Sequence, residues 1–113
     1  MTRKKVLWLC SWYPNRIDPF DGDFIQRHAR AASLYENIHV IRVVADSAAR
    51  PGTTDICVTK QPNLTEQIAY LGKGKGFAGR LFFFIRRNRL YKVLLKKYLA
   101  EEGYPSLVHV HVP

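Results

Sequence analysis

Acidic residues are scarce in this chain: nine Asp and Glu stand against 18 Lys and Arg, a formal net charge of +9 at neutral pH. Residues 73 to 97 contain no acid and nine Lys or Arg. A field of that sign admits nucleic acid, an anionic membrane surface or a phosphorylated ligand as partner, and disfavours a cationic one. Cysteine is almost missing too. Cys10 and Cys57 lack the paired spacing of a zinc or redox motif, and each falls in a strand-like run where a free thiol behaves as a small hydrophobe. No apolar run approaches the roughly 18 residues of a membrane span. The start is basic, but Val6 to Cys10 is too short for the apolar segment of a secretion signal and no small-residue cleavage site follows, so a cytoplasmic chain is expected. Internal repeats and low-complexity tracts are also missing. With 113 residues there is room for one domain or part of one, and 47% apolar content with 12% aromatics supports a packed core.

What is present has the order of an α/β fold. Lys4 to Cys10 reads as a first strand, apolar nearly throughout and so covered on both faces. Ser11 to Asp23, with two prolines, Asn15, three Asp and Gly22, is a loop. Asp21 or Asp23 is expected to cap the next helix, Phe24 to Tyr35. On it Phe24, His28, Ala31, Ala32 and Tyr35 recur at helical spacing as an inward face, leaving Gln26, Arg27 and Arg30 outward. Ile38 to Ala45 has the composition of a buried parallel strand interrupted by Arg42, completing a right-handed βαβ unit. Asp55 to Gln61 and Thr65 to Leu71 read as two shorter strands around Pro62-Asn63. Gly72 to Gly76 reads as a flexible connector into a helix from Phe77 or Gly79 to Glu102, with Tyr91, Leu94, Leu95 and Tyr98 as its apolar stripe. Gly103 and Pro105 stop that helix. Leu107 to Val112 reads as another buried strand. A central parallel strand is normally followed by a covering helix, and none remains, so the chain is expected to be the leading part of a larger fold.

Two stretches carry a family resemblance. Trp12-Tyr13-Pro14-Asn15, then Pro19 and Gly22-Asp23-Phe24-Ile25 ahead of an Ala-rich helix and a Val/Ile strand, resemble the start of the family 4 (group 1) glycosyltransferases. Leu107-Val108-His109-Val110-His111-Val112-Pro113 resembles that family's His-x-His segment on a later strand; the residues between match only in pattern. The resemblance implies a GT-B architecture, two Rossmann-like domains with the active site in the cleft between them. Residues 1–113 would be an incomplete N-terminal, acceptor-side domain without the C-terminal donor-binding domain. It further implies a retaining hexosyltransferase-like enzyme moving a sugar from a nucleotide-sugar donor to a glycan or lipid-linked acceptor in bacterial cell-surface polysaccharide synthesis. No cofactor or metal is expected, and the family's catalytic His would lie beyond residue 113.

The residues suggest where such a ligand would sit. The Ser11–Asp23 loop leaves the carboxyl end of a first strand, where open α/β sheets bind ligands. Gly22 would let the backbone approach a ligand at the helix N-terminus, or is simply a turn residue. His109 and His111, two apart on a strand, face one way. If their strand lies beside the first, both signals converge on one crevice. Pro14, Asn15, Asp21, Gly22, Asp23, His109 and His111 are therefore the candidate substrate-binding residues, with the histidines in the acceptor pocket or its support. A zinc site would need a third protein ligand, and none is spaced for it. Asp18, Asp21 and Asp23 could supply a base but suit turns and caps better. Gly74-Lys75-Gly76-Phe77-Ala78-Gly79 matches G-x-G-x-x-G without the strand-end acid of a dinucleotide site, so a hinge is the plainer reading. Asn63-Leu64-Thr65 matches a glycosylation sequon, which without a signal peptide carries nothing. The aromatic and basic helix around residues 81–97 could lie on the inner face of the cytoplasmic membrane through Arg86, Arg87, Arg89, Lys92 and Lys96, or could be a core-packing helix with a solvated face. No nucleic-acid module is recognisable, and no nucleic acid partner is expected. The alternative to the enzyme reading is a stand-alone basic module contacting anionic lipid or a protein partner.

Overall fold

The apolar run near the start forms strand β1, Lys5–Cys10, in a computed structural model that describes residues 3–111. Because successive side chains of a strand point to opposite faces, Val6, Trp8 and Cys10 enter one core cluster while Leu7 and Leu9 pack in the other. Helix α1 (Asp23–Ala32) follows, then β2 (Asn37–Asp46), β3 (Thr54–Gln61), β4 (Leu64–Gly72), the long helix α2 (Gly76–Glu102) and β5 (Leu107–His111). The five strands form one sheet in the order β3-β4-β2-β1-β5. All neighbouring pairs are parallel except the β3–β4 hairpin. The architecture is α/β and Rossmann-like: a mostly parallel sheet flanked by two helices.

Chain direction decides which helix covers which face. From β1 the chain steps one way to β2; from β4 it crosses back over β2 and β1 to β5. Right-handed crossovers taken in opposite directions lie on opposite faces of a sheet. Accordingly α1 packs with Trp8, Val40 and Ile68, and α2 with Leu7, Ile41 and Ala69. The direction changes between β1 and β5, which places the switch point of the sheet at the loop after β1.

Several local expectations are corrected. The buried face of α1 is Ile25 and Ala29, backed by Ala32, and not Phe24, His28, Ala31 and Tyr35. The i, i+4 spacing holds, but the helix is rotated by one residue so that the small Ala29 sits flush on the sheet. Phe24 instead stacks edge-on with Trp12 and His28 at the surface, and Tyr35 lies past the helix end. Gln26 is half-buried and reaches inward. Gly22, not an aspartate, is the N-cap, with no side-chain cap bond. β3 is exposed along its whole length, Cys57 included, so only Cys10 is a core thiol. β5 is an exposed edge and not a buried strand: Val110 is 63% exposed, because among the described residues β5 pairs only with β1. The expected extension of β5 to Val112, and Pro113, lie outside the described residues. The apolar stripe of α2 is as expected, with Leu94 and Tyr98 fully buried and Tyr91 and Leu95 against them.

The glycine-rich stretch before α2 is a packed turn. A Cβ on Gly79 would run into the backbone of Gly74, and one on Gly72 into the carbonyl of Arg50. Lys73 N–H donates to Asp46 O at 3.0 Å and Gly72 N–H to Thr53 O at 2.9 Å. Close approach of one backbone segment to another thus accounts for these glycines.

Candidate functional site

The two stretches singled out at opposite ends of the sequence meet in space. Ser11, the residue after β1, donates its N–H and its hydroxyl to the carbonyl of His111, each at 2.8 Å. Cys10 and His111 are register partners across β1 and β5. At this junction a cavity of about 570 Å³ opens between the carboxyl ends of β1, β2 and β5 and the flank of α2. Its walls are Leu9, Cys10 and Ser11 from β1 and its end, Arg42, Val43 and Ala45 from β2, Phe83, Arg87, Asn88 and Tyr91 from α2, and Val110 and His111 from β5. This is where an open α/β sheet binds its ligand.

Tyr91 builds the wall. Its hydroxyl donates to Cys10 O at 2.8 Å and accepts from Val43 N–H at 3.1 Å, pinning α2 to two strands at once. Two arginines are among the lining residues. Arg42 is held by Asp21 at 3.3 Å and donates to the carbonyl of Val43; its side chain is only 16% exposed. Arg87 is half-buried and lies 5.1 Å above the Phe84 ring. The Nε atoms of both are buried without a hydrogen-bond partner among the described residues. No Asp or Glu among the described residues lines the cavity. The Cys10 thiol is pushed up to about 12, mainly by burial, so at neutral pH it is no nucleophile. Among the described residues the cavity lining includes the hydroxyls of Ser11 and Tyr91, the amide of Asn88 and two arginines.

The Ser11–Asp23 loop is organised largely by its own packing. Tyr13 is among the most deeply buried side chains, and its hydroxyl donates to the carboxylate of Glu66, itself buried in β4. Gln26 Nε2 donates to the same oxygen from α1 at 2.8 Å. Burial first, then the bond to Glu66, drives the Tyr13 phenol well above its ordinary range. Arg16 lies 3.8 Å over the Tyr70 ring and pairs with Asp55 at 2.8 Å, fastening the loop tip to the β3–β4 hairpin.

The expected site residues separate accordingly. Asn15 is buried and spends its amide within the loop, donating to Tyr13 O and accepting from the N–H groups of Ile17 and Asp18. Pro14 is half-buried beside it. Asp21 is the partner of Arg42. Gly22 has φ +58°, and a Cβ there would sit 2.7 Å from Trp12 Cβ, so its neighbour is protein. Asp23 is exposed, 3.9 Å from Arg27. His109 and His111 do share a face, both stacked against Trp8 at ring separations of 5.5 and 4.5 Å. Burial, then His109 and His28, lower the His111 pKa. Its Nε2 and the Trp8 Nε1 are buried without partners among the described residues. Among the described residues no three His, Cys, Asp or Glu assemble as metal ligands.

Arg42, Asn88 and the Tyr13–Glu66–Gln26 cluster were missed as site or anchor residues. Arg42 had a signal: a guanidinium inside an apolar parallel strand needs partners that the strand cannot supply. Glu66 had a weaker one of the same kind.

A second surface stands out on the first half of α2. Phe77, Leu81, Phe82, Phe84 and Ile85 are all exposed, with Phe77 at 82%. Arg86, Arg89, Lys92 and Lys96 are exposed among and beyond them, whereas Arg87 turns to the cavity. No described helix is long and apolar enough to cross a membrane.

Comparisons with models of known protein families, with curated proteins and with solved structures found no match to this chain.

Proposed function

We propose that this chain is the acceptor-side part of a GT-B glycosyltransferase, holding a glycan or lipid-linked acceptor while a donor domain outside these residues carries the nucleotide-sugar. The observation that carries the reading is the cavity at the switch point, lined by Val110 and His111 of the second resembling stretch and by Ser11, the residue just before the first, with Ser11 hydrogen-bonded to His111 at its rim. Its donors and lack of carboxylates suit a hydroxyl-rich or anionic ligand. The chain alone should not turn over a nucleotide-sugar. Amide shifts of the labelled chain, titrated with soluble oligosaccharides, test the reading. Perturbations confined to Ser11, Val43, Asn88 and His111 would support it; shifts elsewhere, or none at millimolar ligand, would remove it. Hydrolysis or transfer of a nucleotide-sugar by the isolated chain would also overturn it.

The exposed apolar and basic half of α2 favours a second reading, a module that rests on anionic lipid. Sedimentation with vesicles distinguishes it. Replacing Arg86, Arg89 and Lys92 by Gln should abolish pelleting with anionic vesicles and leave neutral vesicles unaffected. Equal pelleting of the wild-type chain with both kinds, or with neither, counts against an electrostatic membrane contact.

A further inference from the structure

Of the two sheet edges, β3 is the longer, with eight residues against five in β5. It is exposed along its length, with Ile56 and Val58 side by side on one face and Asp55 and Cys57 on the other. Sheet edges are ordinarily guarded by shortness, a proline, a bulge or several lysines. β3 has none of the first three: its register with β4 runs unbroken from Thr54↔Leu71 to Gln61↔Leu64, and its one lysine, Lys60, sits near the end. The phase of that ladder fixes what the edge offers. Just ahead of β3, Gly72 N–H donates to Thr53 O at 2.9 Å. Bonded and non-bonded pairs alternate along an antiparallel ladder, so the odd-numbered residues turn their peptide groups to β4. Thr54, Ile56, Val58 and Lys60 turn theirs outward, where no described strand pairs with them.

We propose that β3 pairs antiparallel with β3 of a second copy of this chain, joining the two sheets across a two-fold axis at Cys57. A two-fold axis perpendicular to a sheet keeps every side chain on its own face, so opposed residues differ by an even number. With the axis at Cys57, Ile56 lies against Val58 of the second copy, and this apolar pair occurs twice. Asp55 then lies against Thr59, and Lys60 against Thr54, so no like charges oppose. Moving the axis to Val58 sets Ile56 against Lys60; moving it to Ile56 sets Asp55 against Cys57. The outward peptide groups of Ile56 and Val58 complete each other as a bonded pair, which leaves Cys57 at a non-bonded one. Charge favours the same place. At +9 the chain repels its copies, but residues 54–72 hold one lysine against Asp55 and Glu66. Arg16 beside them is paired with Asp55 at 2.8 Å. An eight-residue edge is a small interface, so the dimer is a weak one that forms as concentration rises. No residue of β3 lines the cavity, so the pairing leaves the switch-point site open and holds whatever that site binds.

Sedimentation equilibrium of the full chain under reducing conditions, from about 5 μM to about 1 mM, reads the association directly. A monomer–dimer equilibrium is expected, and a monomer throughout overturns the proposal. Val58→Pro removes an outward N–H, twice by symmetry, without touching the β4 ladder, and should weaken the dimer about tenfold or more. Unchanged amide shifts at Val40 and Ile41 verify that this variant is folded. Ile56→Lys and Val58→Glu should each weaken the dimer as well. Combined in one chain they should recover part of the loss, because each cation at position 56 then meets an anion at position 58. Diamide, which takes two electrons and two protons from a pair of thiols, should link the dimer through Cys57. The Cα atoms of a non-bonded pair lie about 4.5 Å apart, within the range a disulfide spans. Cys57→Ser should prevent the link and keep the dimer. In the dilute chain β3 exchanges its amide hydrogens as an open edge, and exchange at Ile56 and Val58 should slow with concentration while Val108 and Val110 stay fast. The reverse pattern assigns the dimer to β5 and overturns the proposal. So does a dimer undiminished by Val58→Pro, a combined variant no tighter than the single ones, or no diamide link through Cys57.

Discussion

At the scale of single residues, buried polar groups decide the local arrangement. Glu66 lies under α1 with its carboxylate bonded to Tyr13 and Gln26, one from the loop and one from the helix. Removing the phenolic hydroxyl in Tyr13→Phe leaves that buried carboxylate short of a donor, and should lower stability by about 1–3 kcal/mol in urea unfolding. The double change Tyr13→Phe with Glu66→Gln should recover part of the loss. His39 makes a pH prediction. Burial holds its pKa below the ordinary 6.5, with the hydrogen bond to Gln67 Oε1 at 3.1 Å working the other way. The unfolded ring takes up a proton near 6.5 while the folded ring resists it, so its contribution is complete above that pH and is lost as pH falls below it. Thermal unfolding followed from pH 7.5 down to 5 should show a steeper fall for the wild type than for His39→Gln.

At the scale of elements, small residues set how closely segments approach. Ala29, fully buried, rotates α1 onto the sheet by one position from the face that its aromatic residues mark out. The contest was between Phe24 and Ile25 as the inward residue. A helix resting on a parallel sheet favours the branched aliphatic followed by Ala, while Phe24 finds Trp12 and His28 outside. Such partners belong to the loop and are invisible in the helix's own periodicity. Gly74 and Gly79 cross at the start of α2, where there is no space for a side chain. Gly79→Ala should therefore destabilise by about 1–3 kcal/mol, displacing the first turn of α2, as read by unfolding and by amide shifts at Phe83. A phosphate loop would instead show loss of ligand binding with stability unchanged. The α2 stripe was legible because Leu94, Leu95 and Tyr98 all serve one flat partner, the sheet.

At the scale of the whole molecule, protection is uneven across the sheet. β1, β2 and β4 are each paired on both sides and covered by side chains of both core clusters, while β3 and β5 are exposed edges. Hydrogen exchange should be slowest at central amides such as Val40 and Ile41 and fastest among the strands in β3 and β5. If β5 exchanges as slowly as β2, a contact outside residues 3–111 covers it. The charge of the chain is also uneven: the acid-free segment 73–97 runs through α2, along the wall that carries Arg87. One helix therefore serves as core element, cavity wall and basic surface along different parts of its length.

The sequence by itself determined the order of elements and the strand character of Val6–Cys10, and it allowed a parallel placement of the His109–His111 strand beside β1 that the sheet order then supplied. These follow from apolar runs, turn residues and the handedness of crossovers, all of which are local or topological. Only the tertiary structure decided which residues of the Ser11–Asp23 loop face inward, because Tyr13, Asn15 and Gly22 are fixed by Glu66, by the loop's own N–H groups and by Trp12. It also decided that Arg42 and Arg87, 45 positions apart in number, share one cavity. The reason is that burial and hydrogen-bond completion depend on what arrives from elsewhere in the chain, and no spacing within one element encodes that.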